Sequence, residues 1–216
     1  FPGSHPLSVG PLGYNGSKAA MELIAQAAVV LALGTRLNPF STLPGYGIDY
    51  WPKAAKVIQV DLNPDRIGLT KPVSVAIAGD AKRVAEQLLA ALPEREPDAD
   101  RAALVARTRS AWLQQLASMD HEDDDPGTTW NERARAANPE RMSPRMAWRA
   151  IQSALPRDAI ISSDIGNNCA IGNAYPTFEE GRKYLAPGLF GPCGYGFPAI
   201  AGAKIGCPDV PVAGFA

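Results

Sequence analysis

Amphipathic stretches and short apolar runs alternate in the first part of the chain. Over residues 17–27 the apolar positions recur at helical spacing, and Asn15 or Ser17 can cap the helix that this pattern predicts. A second helix is predicted over residues 81–92, with Asp80 as its cap. Its apolar face is formed by Val84, Leu88, Leu89 and Leu92. Helices placed between apolar runs indicate an α/β unit.

Three apolar runs in this part of the chain are predicted to be strands, at residues 28–33, 56–61 and 73–77. The first run, AVVLAL, holds no polar residue and ends at Gly34. An uninterrupted apolar run is typical of a parallel strand covered by helices on both faces, so we expect this strand in the centre of its sheet. Strands separated by helices or long connections predict a doubly wound parallel sheet.

The composition changes over residues 94–140, where charged residues and prolines concentrate. Residues 99–119 are rich in alanine and predict a helix, whereas the acidic run over residues 120–125 lacks the spacing of a calcium loop and is interpreted as solvated. We interpret the whole segment as a linker that contains one helix. The predicted domains are therefore residues 1–93 and residues 141–216.

The second domain again alternates helix and strand signals. A helix is predicted from Pro144, capped by Ser143, and a strand is predicted over residues 159–164. A helix of small residues is predicted over residues 197–205, followed by a strand over residues 210–215. The predicted fold class is α/β, with a doubly wound parallel-sheet domain followed by the first part of a second α/β domain.

Charge and cysteine usage exclude several classes of protein. The 216 residues carry 21 basic and 22 acidic side chains, so the net charge of −1 offers no basic surface for nucleic acid or an anionic membrane. No apolar run approaches the ~20 residues of a membrane helix, and 46% hydrophobic residues suffice for buried cores. We expect a soluble, cytoplasmic protein. Cys169, Cys193 and Cys207 lack the spacing of a zinc site.

Candidate chemistry lies where the predicted strands end, because ligands of open α/β sheets bind at the carboxyl ends of the strands. After the strand over residues 159–164, Gly166 lets the backbone approach a ligand closely. The amides and side chains of Asn167 and Asn168 can cradle an anion such as a phosphate group. Both asparagines can equally well cap a helix, and the residues alone leave these two interpretations open.

A second glycine-rich stretch lies at residues 191–196. Such a stretch makes a tight turn or presents its backbone to a planar ligand. Gly194, Gly196 and Ala199 fit the dinucleotide-binding fingerprint only loosely, because no strand is predicted directly before them. No base lies near Cys193 in sequence, which favours a packing or ligand-contact role over nucleophilic catalysis.

Together these segments resemble the thiamine diphosphate-dependent enzymes of the acetohydroxyacid synthase type. Residues 1–92, with VVLALGTR, VIQVDLNP and IAGD, resemble the central domain of that family. Residues 143–216, with DIGNN and GPCGYGFPA, resemble the start of its diphosphate-binding domain. The resemblance implies that thiamine diphosphate and Mg²⁺ bind to the complete enzyme, where the cofactor supplies the carbanion chemistry.

The resemblance also implies which residues contact the cofactor. The turn at the diphosphate is matched by Gly166, Asn167 and Asn168. The loop at the aminopyrimidine is matched by Gly191, Pro192, Cys193 and Gly194. Cys193 stands where acetohydroxyacid synthases carry a methionine that supports the bent cofactor. Leu37, Asn38 and Pro39 replace the acids that accompany a flavin in those synthases, so FAD is not expected.

A closer resemblance within the family, carried by residues 1–13, 38–52 and 186–194, implies a phosphorolytic acetyl transfer. Its small-molecule substrates would be sulfoacetaldehyde and phosphate, and its products acetyl phosphate and sulfite. An acetolactate synthase or another 2-oxo acid decarboxylase would share the same cofactor loops and is the alternative. A non-catalytic nucleotide-binding domain, using residues 34–36 and Asp61, would be a different class.

The ends of the chain, Phe1 and an apolar run that reaches Ala216, indicate an internal fragment. The resemblance implies an activating glutamate before Phe1 and magnesium ligands after Ala216, so no catalytic or metal-binding residue is assigned. We expect the isolated chain to lack turnover and to bind the cofactor weakly or not at all, and the complete enzyme to be a homodimer or homotetramer. Arg36, Arg182 and Lys183 are candidates for binding the sulfonate or phosphate by charge only, with surface solvation favoured.

Overall fold

The structure, a computed structural model, describes residues 2–13, 16–121, 144–181, 183–188 and 190–215. The chain divides into two compact units, of which the first is Val9–Arg109 and the second is Phe1–Ser8 with Ser110–Ala216. The division falls inside the long helix of the predicted linker. The domain limits predicted at residues 93 and 141 stay predictions.

A parallel three-stranded sheet forms the centre of the first unit. The strands, in spatial order, are β1 (Val29–Leu33), β2 (Lys56–Asp61) and β3 (Val75–Ala78). The helices are α1 (Lys18–Ile24) and α2 (Ala81–Ala91), and short 3₁₀ helices occupy Pro39–Thr42 and Pro64–Arg66. The predicted α/β class with parallel strands is confirmed.

Helices α1 and α2 begin at residues that the sequence predicts as caps. Ser17 Oγ accepts a hydrogen bond from Ala20 N at 3.3 Å, and Asp80 Oδ1 accepts one from Arg83 N at 2.9 Å. The structure therefore selects Ser17 as the cap of α1, while Asn15 lies outside the described residues. The third strand begins two residues later than predicted, at Val75.

The prediction that β1 lies in the centre of its sheet is wrong, because β2 holds that position. Val29, Leu31 and Leu33, alternate residues of β1, are 54%, 45% and 39% exposed. An apolar run shows that a strand is suited to burial on both faces, but it carries no information about which strands pair with it. The apolar face of α2 is also narrower than predicted, since Leu89 and Leu92 are exposed.

A buried cluster of Ala32, Leu37 and Val57 joins β1, β2 and the segment that follows β1. Leu37 adopts a left-handed φ of +49°, which a leucine rarely takes. Its burial in this cluster offsets that strain, because removing an aliphatic side chain from water contributes roughly 1.5–3 kcal/mol. The loop after β1 is thereby held against the sheet.

Helix α3 (Ala99–His121) follows the first sheet and begins after Asp98, whose Oδ1 accepts a hydrogen bond from Arg101 N at 2.9 Å. It extends two residues beyond the predicted end at residue 119. Although α3 has 23 residues, neither it nor any other helix in the described ranges is long and apolar enough to cross a membrane.

The second unit contains another parallel three-stranded sheet, with the order β5-β4-β6. Its elements in chain order are α4 (Pro144–Ala154), β4 (Ile160–Ser163), α5 (Asn167–Ala174), β5 (Tyr184–Leu185), α6 (Gly196–Gly206) and β6 (Val212–Phe215). All four residues of the central strand β4 are buried. Strand β5 escapes prediction because two residues carry no periodicity, and Ser143, the predicted cap of α4, lies outside the described residues.

Candidate functional site

The strands of the second sheet are parallel, so β4, β5 and β6 end at one edge, which we call the carboxyl edge of the second sheet. Two loops lie there. The first loop, residues 164–166, leads from β4 to the first residues of α5, Asn167 and Asn168, and the second loop, residues 191–195, leads into α6. The predicted cofactor-binding residues of both segments are thus brought to the same edge.

Gly166 is the residue that turns the chain from β4 into α5. Its φ of 106° and ψ of −153° lie in a region that is essentially restricted to glycine, and a Cβ there would meet no heavy atom within 4 Å. No side chain caps α5. The interpretation that Asn167 and Asn168 act as caps is therefore wrong, because both lie inside the helix, with Asn167 exposed and Asn168 half-buried.

The uncapped start of α5 leaves backbone donors available. The first amides of a helix have no carbonyl partner within the helix, and the helix dipole gives this end a partial positive charge. Here the open Gly166 lets an acceptor come close to those amides without steric conflict. An anionic group with several oxygens fits this arrangement.

The second loop packs against the first through its glycines. A Cβ on Gly191 would lie 3.0 Å from Ile165 Cδ1, so the chain at Gly191 runs close to the side chain of Ile165. Gly191 and Gly194 have φ values of +59° and +85°, which favour glycine. Pro192, Cys193 and Gly194 are exposed, so this loop presents backbone and a free thiol to solvent.

Asp164 joins the two loops through one carboxylate. Gly194 N donates to Asp164 Oδ2 at 2.9 Å and to Oδ1 at 3.1 Å, and Ile165 N donates to Oδ1 at 2.8 Å. The amide of Ile165, followed by those of Gly194, Gly196 and Tyr195, lowers the pKa of Asp164 below 3.8, although partial burial works against this. The joining carboxylate is therefore ionised at neutral pH.

A network of hydroxyl groups, from Ser162, Ser163 and Tyr184, supports the carboxyl edge from within the second unit. The hydroxyl groups of Ser163 and Tyr184 lie 2.6 Å apart, and Tyr184 Oη also donates to Cys169 O at 3.4 Å. Burial raises the pKa of Tyr184 to about 12, so the phenol stays neutral and can donate. Ser162 Oγ donates to Gly196 O at 3.3 Å, which ties the start of α6 to β4.

Sequence reasoning missed this network and the role of Asp164. One signal for the network was present, because two serines end a strand that is otherwise apolar, and buried hydroxyls need partners. No comparable signal links Asp164 to Gly194, which lies 30 residues away in sequence. Only the pairing of β4 with β6 and the path of α6 bring them together.

The carboxyl edge of the first sheet is closed by Gln59, which is 1% exposed. Its Nε2 donates to Thr35 O at 2.9 Å and to Arg66 O at 3.3 Å, and its Oε1 accepts from Gly68 N at 2.9 Å. Asp61, predicted as a nucleotide contact, is buried and accepts from Asn63 N at 2.9 Å. The side chains of Gln59 and Asp61 are thus used within the fold, which weighs against the nucleotide-binding alternative.

Among the cationic candidates, Lys183 lies away from the carboxyl edge of the second sheet. Lys183 Nζ donates to Asp158 O at 2.8 Å and pairs with Glu180 at 3.6 Å, at the end where the strands begin. Arg36 belongs to the first unit, and Arg182 lies outside the described residues. In the described ranges no three His, Cys, Asp or Glu side chains are grouped as a metal site would need.

Two family models match the chain. The model of the thiamine pyrophosphate enzyme central domain matches residues 1–88, and that of the thiamine pyrophosphate enzyme C-terminal, TPP-binding domain matches residues 164–216. Together they cover well over half of the chain. The second match begins at Asp164 and includes both loops of the carboxyl edge.

Curated relatives align over all or nearly all of the chain. The sulfoacetaldehyde acetyltransferase of Roseovarius nubinhibens is 78% identical over 218 residues, which are 100% of this chain and 36% of the relative. That of Rhodobacter capsulatus is 75% identical over 219 residues, 100% of this chain and 37% of the relative. The acetolactate synthase large subunit of Corynebacterium glutamicum is 27% identical over 214 residues, 97% of this chain and 31% of the relative. The chain spans little more than a third of the length of the first two.

Proposed function

The chain belongs to the thiamine pyrophosphate enzymes, and thiamine pyrophosphate is also called thiamine diphosphate. From this premise we propose that the carboxyl edge of the second sheet binds thiamine diphosphate. The observation that carries the proposal is the uncapped start of α5 behind the open Gly166. Backbone amides at such a start can donate to diphosphate oxygens, and the side-chain amides of Asn167 and Asn168 can add donors. Gly166, Asn167 and Asn168 are therefore proposed as diphosphate contacts.

The second loop is proposed to meet the aminopyrimidine ring. Of its residues, Pro192, Cys193 and Gly194 are exposed and Gly191 is half-buried. A planar ring can approach glycine backbone closely, because no Cβ stands in the way. Cys193 offers a small, polarizable side chain at this surface, and its thiol is free.

We propose that Mg²⁺ accompanies the diphosphate. The described residues include no grouped metal ligands, and Asp164 directs its carboxylate to backbone amides of both loops. The negative charge of the diphosphate would thus be balanced by the amides of α5 and by Mg²⁺. We do not propose that these 216 residues supply the protein ligands of the Mg²⁺. No role for FAD is proposed, since Leu37 is buried in the core and Asn38 caps the 3₁₀ helix at Pro39–Thr42.

We propose that a protein carrying this chain transfers an acetyl group from sulfoacetaldehyde to phosphate, with release of sulfite. The support is the high identity to sulfoacetaldehyde acetyltransferases along the whole chain, against much lower identity to acetolactate synthase. Thiamine diphosphate supplies, when bound, a carbanion and an electron sink for chemistry next to a carbonyl group. The residues of this chain would bind and orient it through the contacts described above. Acetolactate synthase activity is the alternative.

The test uses a protein of the relatives' full length with these 216 residues in place. We expect calorimetry to detect thiamine diphosphate binding in the presence of Mg²⁺, and acetyl phosphate to form from sulfoacetaldehyde and phosphate. Acetolactate formation from pyruvate alone, without acetyl phosphate from sulfoacetaldehyde, would establish the alternative. Absence of cofactor binding would remove the proposal altogether.

A homodimer or homotetramer in the cytoplasm is proposed for the complete protein, on the family resemblance. Sedimentation of the full-length protein tests the first point, and fractionation of cells that express it tests the second. A monomer at the concentration that supports activity would contradict the assembly.

A further inference from the structure

We propose that Asp164 is a positioning residue, which holds the two cofactor loops at the spacing that thiamine diphosphate needs. This inference rests on the proposed function. It assigns to Asp164 no contact with the cofactor and no step in the reaction. It assigns the residue the task of fixing Gly194, and with it the second loop, against the first.

Asp164 is itself held firmly, which a positioning residue requires. Its backbone N donates to Phe215 O at 2.8 Å, so β6 fixes the residue directly after the end of β4. The strand before it is buried at all four positions. A side chain on such a support can impose a position on a loop, because the support does not yield.

The contact to the second loop depends on both carboxylate oxygens. Gly194 N lies 3.1 Å from Oδ1 and 2.9 Å from Oδ2, while Oδ1 also accepts from Ile165 N. An asparagine offers one acceptor oxygen, and its NH₂ group would face an N–H donor. In the isosteric variant Asp164→Asn, an oxygen at the Oδ1 position would still reach both amides, but the NH₂ group would lie 2.9 Å from Gly194 N and the charge would be lost. The change therefore weakens the contact to the second loop while preserving the volume of the side chain.

The second loop needs such an anchor. Gly191 and Gly194 both have positive φ, and neither a long strand nor a helix includes them, so the loop has little intrinsic stiffness. A charge-assisted hydrogen bond to Gly194 N fixes it at one point, and Gly191 comes close to the side chain of Ile165 at another. Both anchors lead back to the first loop.

The experiment compares wild type, Asp164→Asn, Asp164→Glu and the control Asp209→Asn in the full-length protein. Asp209 is exposed in the turn before β6, so its variant makes the same change of charge in the same unit. Hydrogen exchange without cofactor reports on the loop itself. We expect the Gly194 amide to exchange at least about tenfold faster in Asp164→Asn, with β4 unchanged.

Calorimetry with Mg²⁺ then measures the Kd for thiamine diphosphate. We expect Asp164→Asn to weaken binding about 10- to 100-fold, which is the range that one hydrogen bond to a charged group supports. Asp164→Glu keeps the carboxylate and should recover part of the loss, while Asp209→Asn should bind as wild type does.

Equal affinity in wild type and Asp164→Asn would overturn the inference while leaving the proposed function intact. Faster exchange throughout the second unit would also overturn it, because the residue would then support the fold as a whole. If wild type binds no thiamine diphosphate, the proposed function fails and the ligand part of the inference fails with it. Should Asp164→Asn not fold, an unprotected Gly194 amide in wild type would still refute the contact.

Discussion

The carboxyl edges of the two sheets are joined by different side chains. Gln59 joins the loops of the first edge as a neutral amide that is 1% exposed, whereas Asp164 joins those of the second edge as a partly exposed carboxylate. A neutral amide can be buried once its donor and acceptor are satisfied, but a carboxylate needs water or several amides to stay ionised. The first edge is therefore closed, and the second stays open enough to leave Gly166 and Asn167 accessible.

The largest effect is expected where the closed edge loses its amide. The change Gln59→Leu removes all three part-buried hydrogen bonds that this buried side chain makes. We expect the free energy of unfolding to fall by about 3 kcal/mol, because each of the three lost hydrogen bonds contributes about 0.5–1.5 kcal/mol. Urea denaturation of the variant and wild type measures this difference.

The matched control for this change is Gln26→Leu. Gln26 is exposed and donates to Glu22 O at 3.0 Å, so its loss should change the free energy of unfolding by no more than about 0.5 kcal/mol. Folded Gln59→Leu should bind thiamine diphosphate as wild type does, since Gln59 closes a different edge. A loss of affinity in the folded variant would contradict the division of roles between the edges.

A smaller effect is expected from alanine at the turn of the open edge. Gly166→Ala forces a Cβ into φ +106°, which should cost about 1–3 kcal/mol of stability. The change meets no neighbouring atom, so the cost arises from the backbone alone. A Cβ at the open approach to the α5 amides should also weaken thiamine diphosphate binding, which calorimetry measures.

Gly47→Ala separates these two consequences. Gly47 has a φ of +71° and likewise no heavy atom within 4 Å of an added Cβ, but it lies in the first unit. Its variant should lose about 1 kcal/mol of stability and keep the wild-type affinity. If both variants bind the cofactor equally well, Gly166 does not face it.

Local features of the fold were predictable from the sequence, because they depend on neighbours in the chain. Ser17 and Asp80 cap their helices as predicted, β2 and β4 lie where their apolar runs stand, and Gly166 turns the chain. The position of β1 at the edge of its sheet was not predictable. Strand order depends on pairing between distant segments, which the composition of one strand does not encode.

In the candidate site, too, local features were predictable from the sequence and long-range contacts were not. Its glycines and asparagines stand out in the sequence, since turns and helix starts select those residue types. The contacts that hold them do not, because Asp164 meets Gly194 and Ser163 meets Tyr184 only after three strands have assembled. The burial of Gln59 was likewise not predictable, because nothing in the neighbouring sequence marks a polar residue within a strand as buried.

The smallest effect is expected in acid, where the two edges should respond differently. The folded pKa of Asp164 lies below its ordinary value of 3.8 because backbone amides, that of Ile165 first, favour the ionised form. The stabilisation is thus fully present above 3.8 and is lost as the pH falls through the lower folded pKa. Urea midpoints at a series of pH values should show wild type losing its advantage over Asp164→Asn in this range, whereas its advantage over Gln59→Leu persists. A constant advantage over Asp164→Asn would mean that the charge does not join the loops.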